Sequence, residues 1–163
     1  MNVVFDLDGV LVDVRSYAEK YLVNREDWIL TDKKDWREYF KHTLEFPPIA
    51  PMVEFVRTFI SARCCHTIYF VTGRPEHNRK PTEAWLRVHL FRGVPRCDSF
   101  LFMRDNGDTR STAEVKLDLL KDVKVDLVFE DDSIVVMEML KKGYTVVQVH
   151  GFRYNTSDLI PPK

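Results

Sequence analysis

Nowhere in this 163-residue chain does an apolar run approach the ~20 residues that cross a bilayer, so no membrane span is expected. A basic leader is missing too, and the apolar N-terminus is interrupted by Asp6 and Asp8, unlike a secretory signal. Cysteine is scarce. Cys64, Cys65 and Cys97 are an odd number without metal-ligand spacing, and adjacent cysteines do not readily bridge each other. They read as reduced thiols, small buried hydrophobes of a cytoplasmic protein. There is no excess of positive charge: Lys and Arg number 24 against 25 Asp and Glu, for a net charge of −1. No global field therefore draws the chain onto nucleic acid, and any such binding would depend on a local patch. Internal repeats and low-complexity tracts are also absent.

What is present suits one folded unit. A hydrophobic fraction of 45% with 12% aromatics supplies a single core, and residues 1–163 are read as one domain. Five short apolar runs, at 2–6, 67–72, 99–104, 126–130 and 144–149, read as buried parallel strands. Helical patterns of about ten residues separate the later ones, so the expected class is α/β, a three-layer open parallel sheet. Pro51 suits a first helical position, followed at helical spacing by Met52, Phe55, Val56, Phe59 and Ile60. Pro81 similarly opens a helix with Trp85, Val88 and His89 on one face. Ser111 and Glu114 have capping-box spacing ahead of Val115 and Leu119. Ser133 is read as the cap of a fourth helix, with Val135, Val136, Met139 and Leu140 inward and Gly143 at its end.

Residues 14–48 break the alternation. They hold Tyr17, Tyr21, Trp28, Trp36, Tyr39 and Phe40 in two or three short helical patterns. An insertion directly after the first strand sits above the carboxyl ends of the strands, where open α/β sheets bind ligands. It is read as a small helical cap. The tail, with Pro161 and Pro162, is expected to be loose.

Polar residues gather where the strands end. Asp6 and Asp8 lie two apart and share a side of the first strand, and Gly9 lets the chain turn sharply. Close carboxylates repel each other unless a cation lies between them, and hard oxygen ligands suit Mg²⁺. Thr72-Gly73-Arg74 offers a hydroxyl, a flexible backbone N–H and a guanidinium, a natural phosphate cradle. Lys116 follows the capped start at Ser111, and Glu130-Asp131-Asp132 ends the fourth strand. Each signal has a bland counterpart: a turn, a strand-to-loop connection, a solvated helix lysine, acids serving a helix dipole. Their order along successive strand ends is the stronger observation.

In that order the chain resembles the haloacid dehalogenase (HAD) superfamily of phosphatases, with a Rossmann-like sheet. Phe5-Asp6-Leu7-Asp8-Gly9-Val10-Leu11 matches the first motif, Thr72 the second, Lys116 the third and Glu130-Asp131 the fourth. Over residues 50–152 it is similar to the 3′-phosphatase domain of phage polynucleotide kinase-phosphatases and their stand-alone relatives. The stretches carrying this are Pro51-Met52-Val53, Thr72-Gly73-Arg74, Phe102-Met103-Arg104, Gly107-Asp108-Thr109-Arg110, Val115-Lys116 and Val135-Val136 leading to Gly143. Two departures stand out: Glu130 begins a pair that is usually Asp-Asp, and Thr112 replaces an acid four residues before the motif lysine. No Gly-x-x-x-x-Gly-Lys-Ser/Thr string occurs, so a kinase half is not expected in this chain.

Together, resemblance and residue chemistry imply roles. Asp6 is the nucleophile, Asp8 the general acid and then base, and Thr72 and Lys116 hold the phosphoryl oxygens. Mg²⁺ is assigned to Asp6, the Asp8 backbone carbonyl and Asp131, with Glu130 supporting directly or through water. Gly73 and Arg74 are assigned to substrate. Arg79 and Lys80 join them because residues 77–96 also hold Arg87, Arg92 and Arg96 against the single acid Glu83, a strip able to follow a phosphate backbone while Trp28, Trp36 or a cap tyrosine stacks on a base. The bland reading of the strip is a solvated helix face. The expected substrate is a phosphorylated nucleic-acid 3′ end, the alternative a free mononucleotide acted on by a nucleotidase. A receiver domain usually places an acid pair after the first strand and its phosphoacceptor after the third, which here ends at Met103-Arg104, and this argues against that reading. A scaffold with a dead site sits poorly with four filled motifs.

Overall fold

The computed structural model describes residues 1–22, 36–61, 67–93 and 99–149. Trp28, Cys64, Cys65, Arg96, Cys97 and the tail lie outside the described residues.

Five strands form one sheet: β1 (Asn2–Phe5), β2 (Thr67–Pro75), β3 (Ser99–Arg104), β4 (Leu127–Glu130) and β5 (Val146–Gln148). Their order is β3-β2-β1-β4-β5, and every neighbouring pair is parallel. The chain runs outward from β1 to β3, then returns to β1's other side with β4. That reversal opens a crevice at the carboxyl ends around β1. Register aligns Phe5 with Phe70 on one side and with Phe129 on the other, so Asp6 and Glu130 emerge side by side.

Alternation along β1 sorts the layers. Val3 and Phe5 enter a core with Val53, Val56 and Ile60 of α3 (Ala50–Ser61) and Trp85 and Leu86 of α4 (Arg79–His89). Val4 enters a second core with Ala113 and Leu120 of α5 (Thr112–Leu120) and Val135 and Met139 of α6 (Ser133–Lys141). Helices thus cover both faces, as the sequence pattern requires of a buried parallel sheet. The insertion supplies α1 (Arg15–Tyr21) and α2 (Trp36–Lys41). Its Ala18, Leu22, Tyr39 and Phe46 belong to the first core, so its apolar face is buried by the sheet layer itself. Among the described residues no helix is long and apolar enough to cross a membrane.

Several local expectations are corrected. On α3 the inward stripe is Val53, Val56 and Ile60, whereas Phe55 is largely exposed, with its ring edge on Phe5 and Phe129. Val88 is exposed because α4 buries Thr82, Trp85 and Leu86, a face that Val88 does not share. Leu140 lies at the edge of the α6 stripe and is also exposed. The α3 and α4 helices begin at Ala50 and Arg79, one and two residues before the prolines expected to open them. Asp132, not Ser133, caps α6: its Oδ1 accepts from Ile134 N at 2.8 Å and Val135 N at 3.4 Å. The outer strand β5 is shorter than expected, with one neighbour to hold it. In contrast, the capping box of Ser111 and Glu114 is present in both directions.

Candidate active site

The first motif ends β1 by turning at Gly9. Its φ of +83 is left-handed, and a Cβ there would lie 1.9 Å from Asp131 Oδ2. Only glycine permits both this turn and the close approach of the fourth motif. Asp6 is 5% exposed, and its backbone N–H donates to Phe129 O at 3.0 Å, which fixes β1 against β4 where both deliver carboxylates.

Lys116 decides the electrostatics. The capped start of α5 aims it inward, and it is 2% exposed, so it is no solvated helix lysine. Its Nζ lies 2.9 Å from Asp6 Oδ1 and donates to Glu130 Oε2 at 2.7 Å. Burial opposes its charge, but Asp6 and Glu130 outweigh that and hold the ammonium firmly protonated. Glu130 Oε1 accepts from the backbone N–H groups of Asp131 and Asp132 at 3.2 and 3.1 Å. Three of its four lone-pair positions are thereby taken, so it anchors the strand end as well as facing the site.

Oxygens of Asp6, Glu130 and Asp131 lie within 4.8 Å of one another. Burial, foremost, pushes the Asp6 and Asp131 carboxyls far above the ordinary range. Lys116 partly offsets this for Asp6; Asp6 and Glu130 reinforce it for Asp131. One lysine cannot neutralise three carboxylates at this spacing. An all-oxygen donor set with surplus negative charge fits a hard divalent cation. Asp132 stays outside the cluster, occupied with its helix cap.

The second motif contributes Thr72, 1% exposed, whose Oγ1 accepts from Arg74 N at 3.2 Å. Gly73 borders a cleft of about 720 Å³ between α2 and the loop after β3, lined by Trp36, Phe40, His77, Arg104 and others. Trp36 and Phe40 stack at 5.8 Å. Thr112, at the position where the family acid is missing, accepts from Arg104 Nη2 at 3.2 Å. Arg104 also donates to the carbonyls of Gly73, Asp108 and Arg110.

Three residues expected to meet substrate have these surroundings in the structure. Arg74 is 1% exposed and paired with Asp8: its Nε donates to Asp8 Oδ2 at 2.9 Å and its Nη2 pairs with Asp8 Oδ1. Arg79 is engaged by Glu76, by Glu83 at 3.5 Å and by Leu101 O at 3.2 Å. Glu76 lies one residue outside the strip counted from sequence, and so escaped the charge count. Lys80 is exposed and does not line the cleft. In the sequence Arg104 carries only the resemblance, and Thr43, Asn78 and Thr82 go unread. Continuing the two-residue period from Phe70 through Thr72 is the signal that would have turned Arg74 inward.

Residues 1–159 match the model of the HAD superfamily, subfamily IIIB (acid phosphatase). The chain belongs to this family. Among curated proteins it is 32% identical over 92 residues to a putative nucleotidase of Oceanobacillus iheyensis, covering 55% of this chain and 43% of that one. A chain of the Pnkp1/Rnl/Hen1 RNA repair complex superposes with a TM-score of 0.66 at 19% identity, over 91% of this chain and 42% of the other. A haloacid dehalogenase-like hydrolase of Streptococcus pneumoniae gives 0.63 at 15% identity, over 97% and 88%. The HAD fold read from the motif order is therefore the observed one. This chain spans under half the length of the nucleotidase and of the repair-complex chain.

Proposed function

We propose that this HAD chain hydrolyses phosphate monoesters through an aspartyl-phosphate on Asp6, with Mg²⁺ held by Asp6, Asp131 and the Asp8 carbonyl. The observation that carries this reading is the buried cluster in which Lys116 bridges Asp6 and Glu130 beside Asp131. When bound, Mg²⁺ supplies positive charge that lets an anionic nucleophile meet an anionic phosphate. Asp6 attacks phosphorus as the ester P–O bond breaks, and Asp8 gives its proton to the departing oxygen. Asp8 then takes a proton from water, which displaces Asp6 and frees inorganic phosphate. Thr72 and Lys116 steady the phosphoryl oxygens. The described part of the insertion, with α1 and α2, would serve as the cap over the site.

The proposed substrate is a nucleic-acid 3′ end. A likeness of fold to a chain of an RNA repair complex supports it, as does the cleft beside Gly73, whose aromatic wall of Trp36 and Phe40 faces Arg104. The relative described as a putative nucleotidase favours a second reading, a free mononucleotide. The sparse and odd cysteine complement fits a cytoplasmic setting.

Acid-quenched mass spectrometry during turnover tests the chemistry. A hydroxylamine-labile phosphoryl group on the peptide containing Asp6 is expected, and Asp6→Asn should remove it together with activity. Asp6→Asn turning over within about tenfold of wild type would refute the nucleophile. For substrate, a 3′-phosphorylated oligonucleotide should exceed the matching 3′-mononucleotide in kcat/KM at low salt, with an advantage that shrinks as salt rises. Equal values at low salt would decide for the nucleotidase reading.

A further inference from the structure

Behind Asp8 runs a line of buried polar side chains for which neither the family motifs nor the proposed chemistry has a use. Arg74, Thr82, Asn78 and Thr43 are at most 3% exposed. Burying a guanidinium is costly unless its donors are met. Here two go to the Asp8 carboxylate and Nη1 donates to Thr82 Oγ1 at 3.3 Å. The Phe46 ring lies 5.5 Å below the guanidinium carbon. The Thr82 hydroxyl in turn donates to the Asn78 backbone carbonyl at 2.9 Å. The Asn78 amide donates to Thr43 Oγ1 at 2.9 Å, and that hydroxyl donates to Phe40 O at 2.8 Å.

Thr82 accepts from Arg74 and donates to Asn78 O, while Thr43 accepts from the Asn78 amide and has two acceptors within reach, Phe40 O at 2.8 Å and Asn78 Oδ1 at 3.3 Å. The line begins at a carboxylate that is 28% exposed and thus open to the site. It ends on α2, at Phe40, whose side chain lines the cleft beside Gly73. Thr43 and Asn78 are 35 residues apart, so the insertion and the β2–α4 connection meet in this network.

We infer that Arg74, Thr82, Asn78 and Thr43 are positioning residues that aim the Asp8 carboxyl at the leaving oxygen and tie that aim to the cleft wall on α2. Arg74 grips both carboxylate oxygens and so fixes the plane of the group. Thr82 and Asn78 fix Arg74, which has no other anchor for Nη1 among the described residues. Thr43 joins the line to the insertion. A main-chain donor would hold Asp8 with less buried polarity, but it would not join the carboxylate to α2, whose Phe40 lines the cleft beside Gly73.

The inference rests on the reading of Asp8 as general acid, and leaving-group dependence separates the two. An alkyl phosphate needs a proton on its leaving oxygen, whereas p-nitrophenolate leaves without one. The ratio of kcat/KM for glycerol 2-phosphate to that for p-nitrophenyl phosphate reads the protonation step. In Asp8→Asn the ratio should collapse; an unchanged ratio there overturns the general-acid reading itself. Given that collapse, Thr82→Val, which keeps shape and removes the hydroxyl, should lower the ratio about tenfold. Thr82→Ser should restore it. Thr43→Val should lower it in the same direction by a smaller factor, and it serves as the second variant should Thr82→Val fold poorly. If Asp8→Asn lowers the ratio but both valine variants keep the wild-type ratio, whether their activities hold or fall equally on the two substrates, the positioning role is overturned.

Discussion

A lysine ammonium with 3% of its side chain exposed keeps its charge only beside anions, and Lys116 has Asp6 and Glu130 within 2.9 Å. Removing it strands two carboxylates in a dry site. Leaving buried charge uncompensated costs about 3–5 kcal/mol, and losing a donor to phosphoryl oxygens costs about 10²–10³-fold in rate. Lys116→Met is therefore expected to lower kcat by at least about 10²-fold and to lower Tm. Lys121, exposed and paired with Asp118 at 3.0 Å, should tolerate the same change within about 0.5 kcal/mol. Steady-state kinetics with thermal melts on both variants checks this; similar losses in both would remove the case for a catalytic role of Lys116. Gly9→Ala tests the approach between motifs. A left-handed alanine costs about 1–2 kcal/mol, and its methyl would occupy the place of the Asp131 carboxylate. The Mg²⁺ concentration for half-maximal activity should rise severalfold, beyond what the loss of stability explains. At this scale the sequence was legible where residues are near neighbours, as Ser111 with Glu114. It was illegible for Arg74, whose acid partner lies 66 positions away and competes with phosphate for the same guanidinium chemistry.

The start of α6 separates two adjacent acids by element. Asp132 belongs to the helix, because its Oδ1 accepts from the first-turn N–H groups. Asp131 belongs to the strand end and faces Asp6 and Glu130. Asparagine caps helices about as well as aspartate, so Asp132→Asn should leave both stability and metal requirement nearly unchanged. Asp132→Ala should cost about 1 kcal/mol of stability with little change in Mg²⁺ requirement. Asp131→Asn should do the reverse, raising the Mg²⁺ needed at least about tenfold. Magnesium titration of activity in the three variants decides it, and equal effects of the two Asn changes would mean that the acids have exchanged roles. The α4 strip carries a lesson of the same scale. Its basic residues are adjacent in sequence, but the helix turns Arg79 onto Glu76 and Glu83, and charge along a helix reports little about what each cation faces. Apolar spacing with proline and cap signals located α3 to α6, yet the exposed Val88 and Leu140 show that hydrophobicity alone does not fix which edge of a stripe is covered.

Across the whole molecule, the acidic cluster couples stability to pH and metal. Burial raises the Asp6 carboxyl to about 8 and that of Asp131 to about 9, against about 4 for an aspartate in the unfolded chain. Between those limits the folded, metal-free chain holds protons that the unfolded chain has released. Stability from these groups is then fully present below about pH 4 and is lost as pH rises through the raised values. Asp108 acts in the opposite sense: hydrogen bonds from Arg110 hold it down to about 2, so its contribution falls away only in acid below that window. The metal-free protein is therefore expected to melt several degrees lower at about pH 9 than at about pH 5. A cation replacing those protons binds the folded chain more tightly as they leave, so Mg²⁺ should raise Tm by more at about pH 9 than at about pH 6. Asp131→Asn removes one of the two raised carboxyls and should flatten the metal-free slope while shrinking the Mg²⁺ shift. Differential scanning calorimetry in EDTA and in Mg²⁺ reads all of these values. A metal-free Tm that rises over the window, or a slope that survives in Asp131→Asn, would place the ionised carboxylates in the folded state without any cation, and would remove the physical reason for assigning a metal to the site.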